Sequence, residues 1–280
     1  WTMVRKCMKC TQYVFHRMTT FSLAKLSLVT WKQVVFQSLK TRLTPAVIAL
    51  IEKERNNEQI DANLVHGVVM SSVSLGIGKD GKETSYDVYK TSFEDEFLRA
   101  TEKYYVAESD HFIATNSISD YMKKVESRLQ EEEKRVRLYL HASTEKDLLE
   151  RCDKVLIDKR KDQFWAEFQN LLEKDQQDGK WWPNPIHWLA DLARMYSLLS
   201  RKTITNGLDP LKDVLEKHVV NIGTQALAES DGAATDPKVY VEIILKVYKR
   251  YNELVNKAFQ NDAGFVAALD KGCRRFINEN

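Results

Sequence analysis

The stretch Ser117-Ile-Ser-Asp-Tyr-Met-Lys-Lys-Val-Glu-Ser-Arg-Leu129, followed by a charged run and Val136-Arg-Leu-Tyr-Leu140, decides the fold class. Met122, Val125, Leu129, Val136 and Tyr139 or Leu140 recur with helical spacing and form one stripe of an α-helix. Ser117 with Asp120, or Ser119 nearer the pattern, supplies a capped start. Glu131 precedes Arg135 and Glu133 precedes Arg137, the favourable order for pairs one turn apart. The charged run, Glu132 included, therefore reads as a solvated face. After His141-Ala-Ser-Thr144 a second stripe begins with Leu148, Leu149, Cys152, Val155 and Leu156, where Ser143 or Thr144 can cap and Asp147 completes a capping box. Two such helices joined by a short turn pack side by side. Neither buries its stripe alone, so the pair requires further helices.

Toward the N-terminus, apolar residues recur with helical spacing from Met3 to Phe36, densest over Phe21, Leu26, Val29, Trp31 and Val35. Thr44-Pro45 reads as a cap with proline in the first turn, opening a helix over 46–55. Asp61 caps a helix whose inner face is read as Leu64, Val68, Val69 and Val73, with Gly76 as its stop. Residues 78–87 form a polar loop. Ser92 with Asp95 reads as a capping box ahead of Phe93, Phe97, Leu98, Tyr104 or Tyr105, and Phe112.

Toward the C-terminus, the helix after Thr144 leads to Phe164, Trp165, Phe168, Leu171 and Leu172. Residues 179–188 hold Trp181, Trp182 and Trp188 around two prolines, a segment suited to a binding loop or an insertion. Asp209-Pro210 and Asp236-Pro237 each read as a cap with a first-turn proline, and Asp262 caps the last helix. The total is about ten helices joined by short polar turns, with no convincing alternating strand pattern.

Composition agrees. The chain of 280 residues is large enough for a sizeable core. Its net charge of +2, from 42 basic and 40 acidic residues, is too balanced for nucleic acid or an anionic membrane as main partner. Ten Gly and five Pro disfavour a loop-rich all-β fold. No unbroken apolar run reaches bilayer length, and no secretory signal opens the chain. The start at Trp1 suggests part of a longer polypeptide.

Motifs that could carry chemistry are incomplete. Cys7-x-x-Cys10 with His16 lacks a second ligand pair, so it reads as two small residues on a buried helix. Scattered free cysteines suit a reducing compartment, cytoplasm and nucleus. Gly76-x-Gly78-x-x-Gly81 follows a helix rather than a strand, which removes the basis for dinucleotide binding. Glu108-x-x-His111 has di-iron spacing, but no second Glu-x-x-His occurs, so it reads as a polar face. No catalytic residue, metal site or cofactor is expected. The basic groups Arg5, Lys6 and Lys9 are too few for a nucleic-acid surface.

Long phrases of the chain resemble the N-terminal region of cullins, of the type that scaffolds Skp–cullin–F-box ubiquitin ligases. They are Ser27-Leu-Val-Thr-Trp31, Leu50-Ile-Glu-Lys-Glu-Arg-Asn56, Val88-Tyr-Lys-Thr-Ser-Phe93, Tyr121-Met-Lys-Lys-Val-Glu-Ser-Arg-Leu129, Tyr139-Leu-His-Ala-Ser-Thr144, Leu192-Ala-Arg-Met-Tyr196 and Asn261-Asp-Ala-Gly-Phe265 through Lys271 and on to Asn280. The resemblance implies an all-α, elongated stack of helical bundles (cullin repeats), incomplete at the N-terminus. Residues 1–56 would be the remnant of a first repeat, 57–200 a second and 201–280 a third, ending before the cullin homology domain.

It also implies a non-catalytic rigid scaffold segment that spaces the substrate-receptor adaptor from the RING/E2 module. The expected partners are a Skp-type adaptor with its F-box receptor, its contact region mostly missing here, and a RING protein and E2 reached only through an absent C-terminal domain. No nucleic acid and no membrane are expected. Tyr13, His16 and Arg17 are the candidate remnant of the adaptor-binding surface. The alternative is a truncated helical binding module or decoy without ligase activity.

Overall fold

The computed structural model describes residues 23–76, 85–177, 186–230 and 236–278. The Cys7/Cys10 pair, most of the loop at 78–87 and the Trp181–Trp182 segment lie outside the described residues. Among the described residues every regular element is helical. The elements are α1 (Leu23–Trp31), a π turn (Lys32–Phe36), α2 (Gln37–Arg55), α3 (Ala62–Ser74), α4 (Asp87–Tyr89), a second π turn (Lys90–Glu94), α5 (Asp95–Ile113), α6 (Ile118–Tyr139) and α7 (Thr144–Leu156). A 3-10 turn (Asp158–Arg160) leads into α8 (Lys161–Gln177), followed by α9 (Ile186–Leu199), α10 (Asp209–Ala228), α11 (Pro237–Ala258) and α12 (Ala263–Asn278). The expected all-α fold is present.

Several ends form as the side chains dictate. Ser117 Oγ accepts from the Asp120 N–H at 3.1 Å and donates to Asp120 Oδ2 at 2.7 Å, a reciprocal cap on α6. Asp61 accepts from Asn63 and Leu64 N–H, Asp236 from Lys238 N–H, and Asp262 from Gly264 and Phe265 N–H. Past α2, Asn57 takes a left-handed conformation (φ 65°), and the Glu58 N–H reaches back to the Lys53 carbonyl. Gly76 also has a steric reason: a Cβ there would lie 1.6 Å from the Ser85 carbonyl oxygen.

Other expected starts are corrected. No helix begins at Thr44-Pro45. α2 runs through Pro45, and Thr44 Oγ1 donates instead to the Ser92 carbonyl at 2.6 Å. Ser92 is not a cap either. It lies within the second π turn, its hydroxyl donating to the Val88 carbonyl, and the helix has already begun at Asp87. Asp209 is the first residue of α10 rather than its cap, which is Leu208.

The chain divides into two compact units. The first comprises residues 1–107 and 129–152, the second 108–128 and 153–280. The first unit's core is built from Val47 and Ile51 of α2, Val65 and Val69 of α3, Phe97 and Tyr105 of α5, Leu129, Val136 and Tyr139 of α6, and Leu148 of α7. The second unit's core takes Met122 and Val125 from α6, Phe164 and Phe168 from α8, Leu192 and Met195 from α9, and apolar residues of α10 to α12. The α6 stripe expected from its spacing is thus buried throughout. Helices α10 and α12 approach closely, and glycine permits it: a Cβ at Gly223 would fall 2.4 Å from the Phe276 ring.

Candidate functional site

The candidate adaptor residues Tyr13, His16 and Arg17 lie outside the described residues. The Glu108-x-x-His111 spacing does not converge on a metal position. Glu108 pairs with Lys124 at 3.1 Å and with Arg128, while His111 is exposed. Among the described residues no group of three or more His, Cys, Asp or Glu could hold a metal ion. Cys152 and Cys273 are buried and form no disulfide, and burial pushes Cys273 up to about 11. Such a group is mostly protonated near neutral pH and is a poor nucleophile.

The first unit holds a buried cluster of charges. α2 carries Val47, Ile51 and Arg55 inward at four-residue steps. α6 carries Leu129, Glu132 and Val136 inward at steps of three and four. Arg55 Nε donates to Glu132 Oε1 at 2.8 Å, and its terminal nitrogen donates to Thr101 Oγ1 at 2.9 Å. The same Glu132 oxygen accepts from Arg135 at 3.0 Å and from the Tyr105 hydroxyl. Arg135 Nε reaches Glu54 Oε2 at 2.8 Å, where the Tyr139 hydroxyl also donates at 2.6 Å. Arg55 further lies 5.2 Å from the Tyr105 ring centroid and 5.3 Å from that of Tyr104.

Glu132 is fully buried, which corrects its reading as part of a solvated face. The signal was in the spacing. Leu129, Glu132, Val136 and Tyr139 continue the stripe begun at Met122 and Val125, so the helix phase alone points Glu132 inward. Its acidic neighbours Glu131 and Glu133 masked that phase.

Electrostatics follow from the geometry. Burial is the largest single effect and disfavours the Arg55 cation, but the Glu132 charge, the Tyr105 hydroxyl and the hydrogen bond to Glu132 together outweigh it and the pKa rises, so the guanidinium stays charged. Tyr105 is held well above the usual phenol range by burial and by the Glu132 charge. Buried ion pairs contribute little net stability, yet removing one partner leaves an uncompensated charge. What the cluster can do is fix the register of α2, α5 and α6, because hydrogen bonds of this length tolerate little sliding.

A second polar knot joins the Tyr89 and Thr144 hydroxyls at 2.6 Å, with Thr144 donating to Glu94 Oε1 at 2.6 Å. Thr144 is therefore turned inward. Burial pushes Tyr89 up to about 12. In the second unit the Tyr121 hydroxyl donates to the Leu156 carbonyl at 2.9 Å and lies 3.0 Å from Ser109 Oγ. Trp165 Nε1 donates to the Gly207 carbonyl at 2.9 Å. Glu216 on α10 is held by Lys271 at 2.8 Å and Arg275 at 3.0 Å on α12, which lowers its pKa.

One apolar face in the first unit is open. The inner face of α3 is Val65, Val69 and Ser72; of the predicted set Val69 is buried, Val68 and Val73 are half-buried, and Leu64 is 57% exposed. Both stripes of α3 are apolar, so periodicity could not choose between them. Leu64, Gly67 and Val68 instead line a groove of about 400 Å³ with Trp31, Val35, Phe36, Leu39 and Leu43. The continuous helix Ser27–Arg55 that forms its other wall is long and apolar enough to cross a membrane by length and composition. That differs from the expectation drawn from unbroken apolar runs, because polar residues spread along the helix leave a window of mean hydropathy 1.3.

Comparison with known proteins gives these features a family. The cullin alpha solenoid domain profile matches residues 1–280. The chain is 53% identical over 257 residues to Cullin-1 of Dictyostelium discoideum, covering 91% of this chain and 32% of that protein. It is 39% identical to Cullin-1 of Caenorhabditis elegans, covering 91% of this chain and 32% of that protein. Against Cullin-1 of Schizosaccharomyces pombe it is 36% identical, covering 95% of this chain and 34% of that protein. The chain thus spans about a third of the length of these relatives. Helices that hold one another by buried stripes and polar clamps, together with a match along the whole sequence, make this chain a member of the cullin family, within its alpha solenoid domain.

Proposed function

We propose that this chain is a non-catalytic scaffold segment of a cullin-RING ubiquitin ligase. It spaces a Skp-type adaptor, with its F-box receptor, from a RING protein and its E2 in ubiquitin-dependent protein degradation. The observation that carries the reading is 53% identity to a Cullin-1 over 91% of the chain. A spacer needs helices that keep their register, and clamps such as Arg55–Glu132 supply that. Holding substrate and E2 at a set separation raises their effective concentration. The work is cytoplasmic and nuclear and involves neither membrane nor nucleic acid. The repeat boundaries at 56/57 and 200/201, and an adaptor-facing role for Tyr13, His16 and Arg17, belong to the same proposal.

The test is a chimera. The matching third of the Dictyostelium Cullin-1 is replaced by this chain, and ubiquitination of a receptor-bound substrate is measured with the natural adaptor. Activity within about tenfold of the parent supports the spacer reading, since each factor of ten is 1.4 kcal/mol. Loss of substrate ubiquitination with adaptor and RING protein still bound overturns it. Adaptor binding by the isolated chain that competes with the parent ligase would favour the decoy reading instead.

A further inference from the structure

We propose that Asn206–Gly207, in the turn between α9 and α10, is a covalent modification site: in the folded chain it loses ammonia and becomes a mixture of aspartate and isoaspartate. It is the single Asn-Gly step in the sequence. Asparagine is among the chemically labile residues. The Gly207 backbone nitrogen attacks the Asn206 side-chain carbonyl carbon. The bond from that carbon to the side-chain nitrogen breaks, ammonia leaves with the proton that Gly207 gives up, and a five-membered imide closes. Water then opens the ring at either of its two carbonyls. One opening gives aspartate. The other gives isoaspartate, in which the main chain runs through the former side chain. Nothing is oxidised or reduced.

Both residues are dictated by the turn. Asn206 is exposed and left-handed (φ 54°), a conformation that asparagine and aspartate tolerate better than most side chains. Gly207 is buried, and a Cβ there would stand 2.4 Å from the Leu199 carbonyl oxygen, so the position calls for glycine. The missing side chain that this packing demands also leaves the attacking nitrogen unhindered. Asn57 and Asn261 supply the contrast. They too are exposed and left-handed (φ 65° and 58°), but Glu58 and Asp262 follow them, with side chains beside the attacking nitrogen.

The two products differ in effect, because the turn is held on both sides. Thr203 Oγ1 donates to Asp153 Oδ2 at 2.6 Å, and Arg201 Nε lies 2.7 Å from Asp153 Oδ1. Beyond Asn206, the Gly207 carbonyl accepts from Trp165 Nε1 at 2.9 Å. Aspartate keeps the backbone and these holds. Isoaspartate adds one carbon to the main chain immediately ahead of Gly207, where the Leu199 carbonyl leaves no slack. The Trp165 bond and the start of α10 at Asp209 must then shift. The modification therefore acts through backbone length rather than charge. The proposal is independent of the ligase reading.

The unaltered chain is aged at physiological temperature and mildly alkaline pH, both folded and in urea. Brief tryptic digestion cuts after Lys202 and Lys212 and releases the peptide Thr203–Lys212. That peptide is expected to gain the amide-to-acid mass difference and to resolve into two isomers of equal mass. Conversion in the folded chain within about tenfold of the rate in urea is expected, and a slower rate shows that the fold shields the site and overturns the proposal. Asn57 and Asn261, read from fragment masses of their own peptides, should convert at least about tenfold more slowly, and any smaller gap overturns it.

Melting separates length from charge. The aged chain should show a second transition at lower temperature. Freshly made Asn206→Asp has the charge without the extra carbon and should melt with the unaged chain. Asn206→Gly suits the left-handed turn and has no side-chain amide, so it should show no second transition after the same ageing. No new transition in the aged chain, a lowered Tm for Asn206→Asp, or a second transition in aged Asn206→Gly would each overturn the backbone-length account.

Discussion

Arg55 Nε and Glu132 Oε1 stand 2.8 Å apart, joining two helices across 77 positions of sequence with both side chains out of solvent. Glu132→Ala leaves Arg55 and Arg135 facing a vacated site and should destabilise the chain by roughly 3–5 kcal/mol. Urea unfolding followed by circular dichroism measures this. Arg137→Ala on the same helix, where the arginine is 72% exposed, should change stability by less than about 1 kcal/mol. Equal effects from the two substitutions would contradict the buried clamp.

The α6 stripe should behave as core along its whole length. Val125→Ala and Leu129→Ala each remove a buried apolar side chain, and the leucine change should cost about 2–5 kcal/mol. The valine, being smaller, should cost less. Midpoints of denaturant unfolding at constant slope report both, and a change in slope would point to an altered denatured state instead.

Gly223→Ala tests the close approach of α10 and α12. Alanine favours a helix over glycine by about 1 kcal/mol. The new Cβ would meet the Phe276 ring at 2.4 Å, so overpacking of about 1–3 kcal/mol opposes it. Net destabilisation is expected, seen as a lowered Tm. Pairing it with Phe276→Leu should recover part of the Gly223→Ala penalty, measured against the Phe276→Leu chain alone.

Alkaline pH should weaken the fold through its buried phenols. Burial raises Tyr89 and Tyr121 to about 12 each, against about 10 in an unfolded chain. The neutral form is thus favoured in the folded state. Stability from these two groups is complete below about pH 10 and falls as pH rises toward 12, by roughly 1.4 kcal/mol per unit for each. Urea titrations across that window should show the decline, and Tyr89→Phe should flatten it.

Acid acts on a different contact. Lys271, and then Arg275, hold Glu216 below the ordinary carboxylate range. The stability this lends is present above the unfolded glutamate pKa of about 4.3 and is lost as pH falls through the lower folded value. Lys271→Ala should shrink the acid-induced loss, read as a smaller drop in Tm between neutral and acidic buffer.

Much of this architecture could be read from residues alone. The buried positions Met122, Val125, Leu129 and Val136, and the caps at Asp61, Ser117, Asp236 and Asp262, follow from spacing and side-chain chemistry. Thr44 and Ser92 misled because a hydroxyl ahead of a helical run has two local uses: it can cap or bond a carbonyl elsewhere. Only the third dimension shows Thr44 reaching Ser92. Glu132 and Arg55 obeyed the periodicity, but each looked charged before it looked inward. Their pairing across distant sequence is what makes the burial tolerable, and no local window contains both.

The Arg55–Glu132 link also carries a consequence for synthesis. At about 5–20 residues per second, a ribosome delivers Glu132 roughly 4–15 s after Arg55. For that interval the arginine destined for the interior has no counter-ion, and Ile51 and Val47 beside it have no α6 to cover them. The first unit therefore closes late, when its second segment arrives, and the nascent chain passes through a period in which the apolar face of α2 needs shelter from aggregation.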